Sequence, residues 1–156
     1  MTEYQFDLPH NFVPLSELAI LNGRTPSKKE WKTWVLKNPA MFKYASSDEL
    51  ICVITIENFM TDFASIPWIM RWWKDGSIGP QRVAGYFHDW LYSSQSIYSR
   101  KESDRIFRMV IQGLDSSRRS FFTRWAMWSG LRLFGWFAWN KDQKEYLKNP
   151  MWRILR

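Results

Sequence analysis

The chain holds one cysteine, Cys52, among 156 residues. A lone cysteine excludes an intrachain disulfide and a zinc site built on cysteine pairs, and it fits folding in a reducing compartment. No stretch of about 18 uncharged apolar residues exists, so no transmembrane helix is expected. The opening segment, MTEYQFDLPHNF, has neither a basic n-region nor an apolar h-region, so no signal peptide is expected either. Internal repeats, low-complexity tracts and runs of about five or more basic residues are all missing.

What is present describes a folded protein. Hydrophobic residues make up 46%, aromatic residues 18% and charged residues 24%. The length suits one domain, 1–156, with a real core. Eleven tryptophans and eleven phenylalanines exceed what a core of this size needs, which places some rings at an interface. The net charge of +7 favours an anionic partner: phospholipid headgroups, nucleic acid or an acidic protein. A merely solvated basic surface is the plainer alternative.

The segment TPSKKEWKTWVLKNP carries Trp31, Trp34 and Val35 at helical spacing, which predicts a short amphipathic helix capped by Ser27 and ended by Pro39. In MFKYASSDELICVITIENFMTDF, Ser46, Ser47 and Asp48 supply a turn and Ile51 to Ile56 is rich in β-branched residues. That pattern predicts a β-hairpin. After the loop KDGSIGP the chain reads as helical. One helix runs from Pro80, placed as an N1 proline, to about Ser94. A second opens on the capping-box signature Ser99…Glu102 and continues to about Leu114. A third begins near Ser117 and runs to about Trp139. The predicted class is α+β: a small N-terminal antiparallel hairpin or sheet, then a mainly helical body with an antiparallel helix hairpin at about 80–95 and 99–114.

That hairpin carries the chemistry. The connection between its helices is short and centred near Ser96 and Ile97, which makes them antiparallel neighbours. His88 lies about eight residues before that centre and Asp104 about eight after, so the two stand at similar height. His88 shares a stripe with Ala84, Leu91 and Tyr92, and Asp104 shares one with Phe107 and Ile111. Both polar groups therefore face the seam between the helices. A carboxylate accepting the imidazole Nδ1–H would fix the tautomer and leave Nε2 as a base. A buried polar pair that locks the hairpin register explains the same spacing. Tyr92 stands within reach of Asp104 under either reading. Asp89 projects about 100° away, where it could hold a cation or a substrate group. Arg100, one turn before Asp104, is a candidate binding or salt-bridging residue.

TDFASIP, then HDWLY, then R-x-x-x-D-x-x-F resembles an uncharacterised family, a domain of unknown function found mainly in tailed bacteriophages and prophages. The likeness spans about 42–135. The family usually has glycine where Asn58 stands and arginine where Trp68 follows Pro67. This resemblance implies synthesis in a host cytoplasm, the virion as a further location, and protein partners in a phage particle. A narrower likeness joins A-x-x-x-HD-x-x-Y and D-x-x-F to the catalytic helix pair of secreted and parvoviral phospholipases of the A-two class. It implies His88 as the base that activates water, Asp89 as a calcium ligand, Asp104 as the orienter of His88, and Tyr92 as its support. The preceding loop, DGSIGP, is shorter and poorer in glycine than the calcium loops of those enzymes. HD-type phosphohydrolases also use a His–Asp pair, but with further histidines as metal ligands, and only His10 is present besides His88. Thr61, Asp62 and Ser65, clustered in TDFAS, either supplement the site or form an Asx or Ser/Thr turn.

Residues 117–141 contain Arg118, Arg119, Arg124, Arg132 and Lys141, and no acidic residue stands between Asp115 and Asp142. Tryptophan, phenylalanine and leucine are interleaved among them. Three readings fit: an interfacial helix on anionic lipid, a surface that stacks nucleic-acid bases, or a core helix followed by a protein contact. The sequence thus leaves two functions in view. One is an ester hydrolase, with lipid as its substrate and calcium as its cofactor. The other is a non-enzymatic virion or assembly component whose His–Asp pair is structural.

Overall fold

A computed structural model describes residues 2–8, 12–28, 34–61, 79–94 and 98–141, with the backbone alone at 118–120. The fold is α+β, and the chain divides into two compact units, Met1–Phe63 and Ala64–Arg156.

The first unit contains β1 (Glu3–Asp7), β2 (Phe12–Pro14), α1 (Leu15–Leu21), β3 (Trp34–Leu36), β4 (Met41–Ala45), β5 (Leu50–Ile54) and β6 (Phe59–Thr61). They form two three-stranded antiparallel sheets, ordered β1-β4-β5 and β2-β3-β6. The expected hairpin is β4–β5. Its turn is held by Ser46, whose N–H donates to Glu49 O at 2.9 Å and whose Oγ accepts from Glu49 N–H at 3.1 Å. Alternation along β5 puts Ile51 and Val53 in the core and leaves Leu50 and Ile54 exposed. Thr55 closes the far end: its N–H donates to Ala40 O and its Oγ1 accepts from Ala40 N–H, both at 2.9 Å.

Asn58, in the turn before β6, has φ of 58°, a left-handed conformation that asparagine tolerates better than other non-glycine residues. A glycine at this position would meet the same demand without strain.

One expectation for this unit needs correction. Trp34, Val35 and Leu36 are strand β3, not part of a helix over 27–39; positions 29–33 lie outside the described residues. The i, i+3, i+4 spacing was real, but β3 sits between β2 and β6 with Val35 and Leu36 buried, and ladder pairing on both sides outweighs helical periodicity. The first 40 residues also contain β1, β2 and α1, none of which the pattern revealed.

The second unit contains α2 (Pro80–Ser94), α3 (Arg100–Leu114) and α4 (Arg118–Phe134). α2 and α3 form the expected antiparallel hairpin, and α4 packs against α3. Pro80 opens α2, where a missing N–H costs nothing. The capping box of α3 is complete: Ser99 Oγ accepts from Glu102 N–H, and Glu102 accepts from Ser99 N–H at 2.7 Å. The Ser99 hydroxyl also donates to the Glu102 carboxylate at 2.6 Å, and this bond first, with the one from Ser99 N–H, holds the carboxyl below its ordinary range. The core between the helices includes Ala84, Phe87, Leu91, Phe107, Val110 and Ile111. The third helix does not run unbroken to Trp139. It stops at Phe134, turns at Gly135 and resumes over 136–141. No helix among the described residues is long and apolar enough to cross a membrane.

Candidate functional site

Asp104 is the centre of the second unit's polar chemistry. It is fully buried on α3 and accepts hydrogen bonds from three directions. His88 Nε2 on α2 lies 3.0 Å from Oδ1, and the Tyr92 hydroxyl donates to the same oxygen at 2.6 Å. Arg132 on α4 donates through Nη1 to Oδ2 at 2.9 Å. One carboxylate therefore ties three helices together. Burial by itself would push the Asp104 carboxyl up. The hydrogen bonds from His88 and Tyr92, the attraction of His88 and the Arg132 hydrogen bond outweigh it, and the carboxyl sits below its ordinary range.

Tyr92 shows the converse. Burial first, then the charge of Asp104 and the hydrogen bond donated to it, push the phenol far above its usual value, while Arg100 pulls weakly the other way. Its ring lies against His88, with centroids 4.0 Å apart, and meets Trp139 edge-on at 5.0 Å. Phe107 covers another side of the imidazole at 5.5 Å.

The ionised carboxylate is an acceptor only, so the proton shared with it belongs to His88 Nε2. This reverses the expected assignment, in which Nδ1 faced Asp104 and Nε2 was left over. Helical position fixes which residue meets Asp104, whereas the ring torsion decides which nitrogen does, and spacing carries no information about that torsion. Nδ1 is buried and meets no hydrogen-bond partner among the described residues.

Asp89 is half-buried one position along, and its backbone carbonyl accepts from Ser93 Oγ at 2.7 Å. No group of three metal-ligating side chains gathers anywhere among the described residues. A single carboxylate falls well short of the six to eight oxygens calcium takes. The loop that would add donors, 74–78, lies outside the described residues. The donors among the described residues do not make a calcium site.

Arg100 points at the end of α4 rather than at an open surface. Its Nη1 lies 3.3 Å from Arg132 O and 3.4 Å from Leu131 O, and its Nη2 lies 3.4 Å from Arg132 O. A guanidinium there donates to the Arg132 carbonyl in the last turn of α4, where a cation suits the helix dipole, while Leu131 O also accepts from Gly135 N–H at 2.7 Å. Thr61 is buried at the end of β6 in the first unit, while Asp62 and Ser65 lie outside the described residues.

Sequence reasoning missed Arg132 as a partner of Asp104, and it missed Gly135. A Cβ at Gly135 would stand 2.8 Å from the Tyr92 hydroxyl and 2.5 Å from Leu131 O. The glycine lets the end of α4 close over Tyr92. An isolated glycine inside a long aromatic run was the available signal.

Residues 34–131 match the family model described as protein of unknown function (DUF1353), and the chain belongs to that family. No curated protein and no solved structure matches it.

Proposed function

For this member of the DUF1353 family we propose an ester hydrolase in which His88 Nδ1 is the general base. Asp104 holds the ring through Nε2, and Tyr92 and Arg132 hold Asp104. The observation that carries the reading is the buried imidazole nitrogen that meets no hydrogen-bond partner among the described residues. An unsatisfied buried polar atom costs about 1–3 kcal/mol, and native proteins keep few of them without a use. In the neutral ring, with the proton on Nε2, Nδ1 presents a lone pair. There it can take a proton from water as that water attacks an ester carbonyl, while Asp104 stabilises the imidazolium that forms. The tetrahedral adduct then breaks its C–O bond, and the imidazolium returns the proton to the departing alkoxide.

The likeness of A-x-x-x-HD-x-x-Y to phospholipases of the A-two class makes phospholipid esters the substrates to try first. A phage or prophage origin, from the likeness of TDFASIP and HDWLY, belongs to the same proposal. Purified protein should release fatty acid from a fluorescent phospholipid, assayed with calcium and with chelator and beside an Asp89→Asn variant. Calcium-dependent release that falls with Asp89→Asn assigns Asp89 a cation. Release insensitive to both leaves His88 as a base without a metal. Absence of release under all conditions defeats the hydrolase reading.

A second reading has its own support. His88, Tyr92 and Asp104 are all enclosed, so water or substrate reaches Nδ1 only when neighbouring side chains move. A network so closed also serves as a register lock in a virion or assembly component. Co-purification with particles or rings, without ester turnover, favours that alternative.

A further inference from the structure

α4 exposes the wrong side chains for a helix that faces only water. Phe121, Phe122, Trp125, Ala126, Ser129 and Leu133 fall within one arc of about 140°, and that arc is the exposed one. Phe122 is 73% exposed and Leu133 67%. From Phe121 to Leu133 the stripe is about 18 Å long, and Trp136 and Phe137 are exposed beyond Gly135. Scattered exposed apolar residues are ordinary, but three aromatic rings and a leucine gathered on one exposed face mark a contact surface.

The neighbouring helix supplies charge of one sign. Lys101, Arg105, Arg108 and Gln112 share one side of α3, at the spacing that aligns them on a helix. The Arg108 guanidinium lies 4.4 Å from the ring centre of Trp125 and 5.3 Å from that of Trp128, so the basic row borders the aromatic stripe directly. Glu102, the nearest acid on α3, stays ionised under the Ser99 hydrogen bonds and interacts with Arg105. It offsets one of the three charges of Lys101, Arg105 and Arg108 and leaves the row net positive. On α4 itself no acidic residue occurs between Asp115 and Asp142.

We propose that the α3–α4 face docks on an anionic phospholipid surface, with the α4 aromatics at the headgroup–acyl boundary and the α3 cations on the headgroups. Charge complementarity selects this occupant. A second copy would bring a like-charged row against Lys101 and Arg105, which opposes association, whereas an anionic bilayer neutralises them. Leu133 and Ala126 suit an acyl boundary and offer nothing on which a nucleic-acid base could stack. The docking stands independently of the His88 chemistry; only its use in presenting ester bonds to that site rests on the hydrolase reading.

The test separates the two by using lipids that cannot be hydrolysed. Vesicles of equimolar ether-linked phosphatidylglycerol and phosphatidylcholine are sedimented with the full chain, beside vesicles of ether-linked phosphatidylcholine alone. The anionic vesicles should retain the protein, the neutral ones far less, and added salt should release it. Phe122→Ser with Leu133→Ser should weaken binding by tenfold or more. Lys101→Glu with Arg105→Glu should weaken it more than 20-fold, at about fivefold per charge. All four positions are surface ones, and circular dichroism of each variant should match wild type. Equal binding to both vesicles, or variants that bind like wild type, overturns the proposal. So does a single-stranded oligonucleotide that displaces the vesicles, or a dimer in solution that Phe122→Ser makes monomeric.

Discussion

The hydroxyl of Tyr92 and the backbone of Gly135 are in such close approach that a single methyl group at position 135 would collide with both that hydroxyl and Leu131 O. Because the same hydroxyl donates to Asp104, this contact couples the end of α4 to the buried carboxylate. Glycine to alanine often stabilises a protein by about 0.4–1 kcal/mol through the unfolded chain. Gly135→Ala should do the opposite, destabilising by about 1–3 kcal/mol because the Cβ meets backbone that cannot yield easily. Urea unfolding of the two proteins measures the sign.

The Asp104–Arg132 pair makes a second prediction. Asp104 is fully buried, while the Arg132 side chain is 30% exposed. Arg132→Met should cost about 1–3 kcal/mol, since water screens part of the pair. Asp104→Ala should cost about 3–5 kcal/mol, because it strands His88, Tyr92 and Arg132 together. The double variant should cost clearly less than the sum, and a double-mutant cycle by urea unfolding reads the difference.

Stability should form a plateau in pH, with this site contributing to both edges and the lowered Glu102 carboxyl adding to the acid one. The Asp104 carboxyl is lower in the folded protein than in the unfolded chain. Below about pH 4, where unfolded carboxylates protonate, the unfolded state binds more protons and stability falls as pH falls through the folded value. The Tyr92 phenol is raised instead, so its contribution is complete below about pH 10 and is lost as pH climbs above that, where the unfolded phenol ionises first. Tyr92→Phe should flatten the alkaline edge, and Asp104→Asn should flatten the acid edge. Thermal midpoints across the pH range check both.

Much of this site was legible because its spacing is local. Ser99 and Glu102 mark the start of α3, Pro80 marks the start of α2, and a short connection forces His88 and Asp104 to similar heights. Tyr92 follows from its place one turn beyond His88. Arg132 did not, because it lies 28 residues from Asp104 and reaches it through the packing of α4, which no local pattern encodes. The choice of Nε2 over Nδ1 depends on a side-chain torsion. β3 was misread because three residues have too little pattern of their own, and their conformation is decided by strands β2 and β6.

Asn58 gives a prediction outside the site. With φ of 58°, Asn58→Gly should be nearly neutral, losing only the 3.2 Å hydrogen bond that Lys37 Nζ donates to the asparagine carbonyl oxygen. Asn58→Val should destabilise by about 1–2 kcal/mol, since a β-branched residue resists the left-handed region. Chemical denaturation of the pair distinguishes conformation from the hydrogen bond.

The central claim is that His88 is a base held by Asp104, and His88→Gln tests it most directly. The glutamine amide can still donate to Asp104 from about the position of Nε2, so the network keeps its donor while the base is gone. Fatty-acid release from a fluorescent phospholipid, measured on wild type and variant of equal thermal stability, should fall by about 10²- to 10⁴-fold. A folded His88→Gln protein that hydrolyses at the wild-type rate would contradict the account and leave His88 as a structural member of the lock.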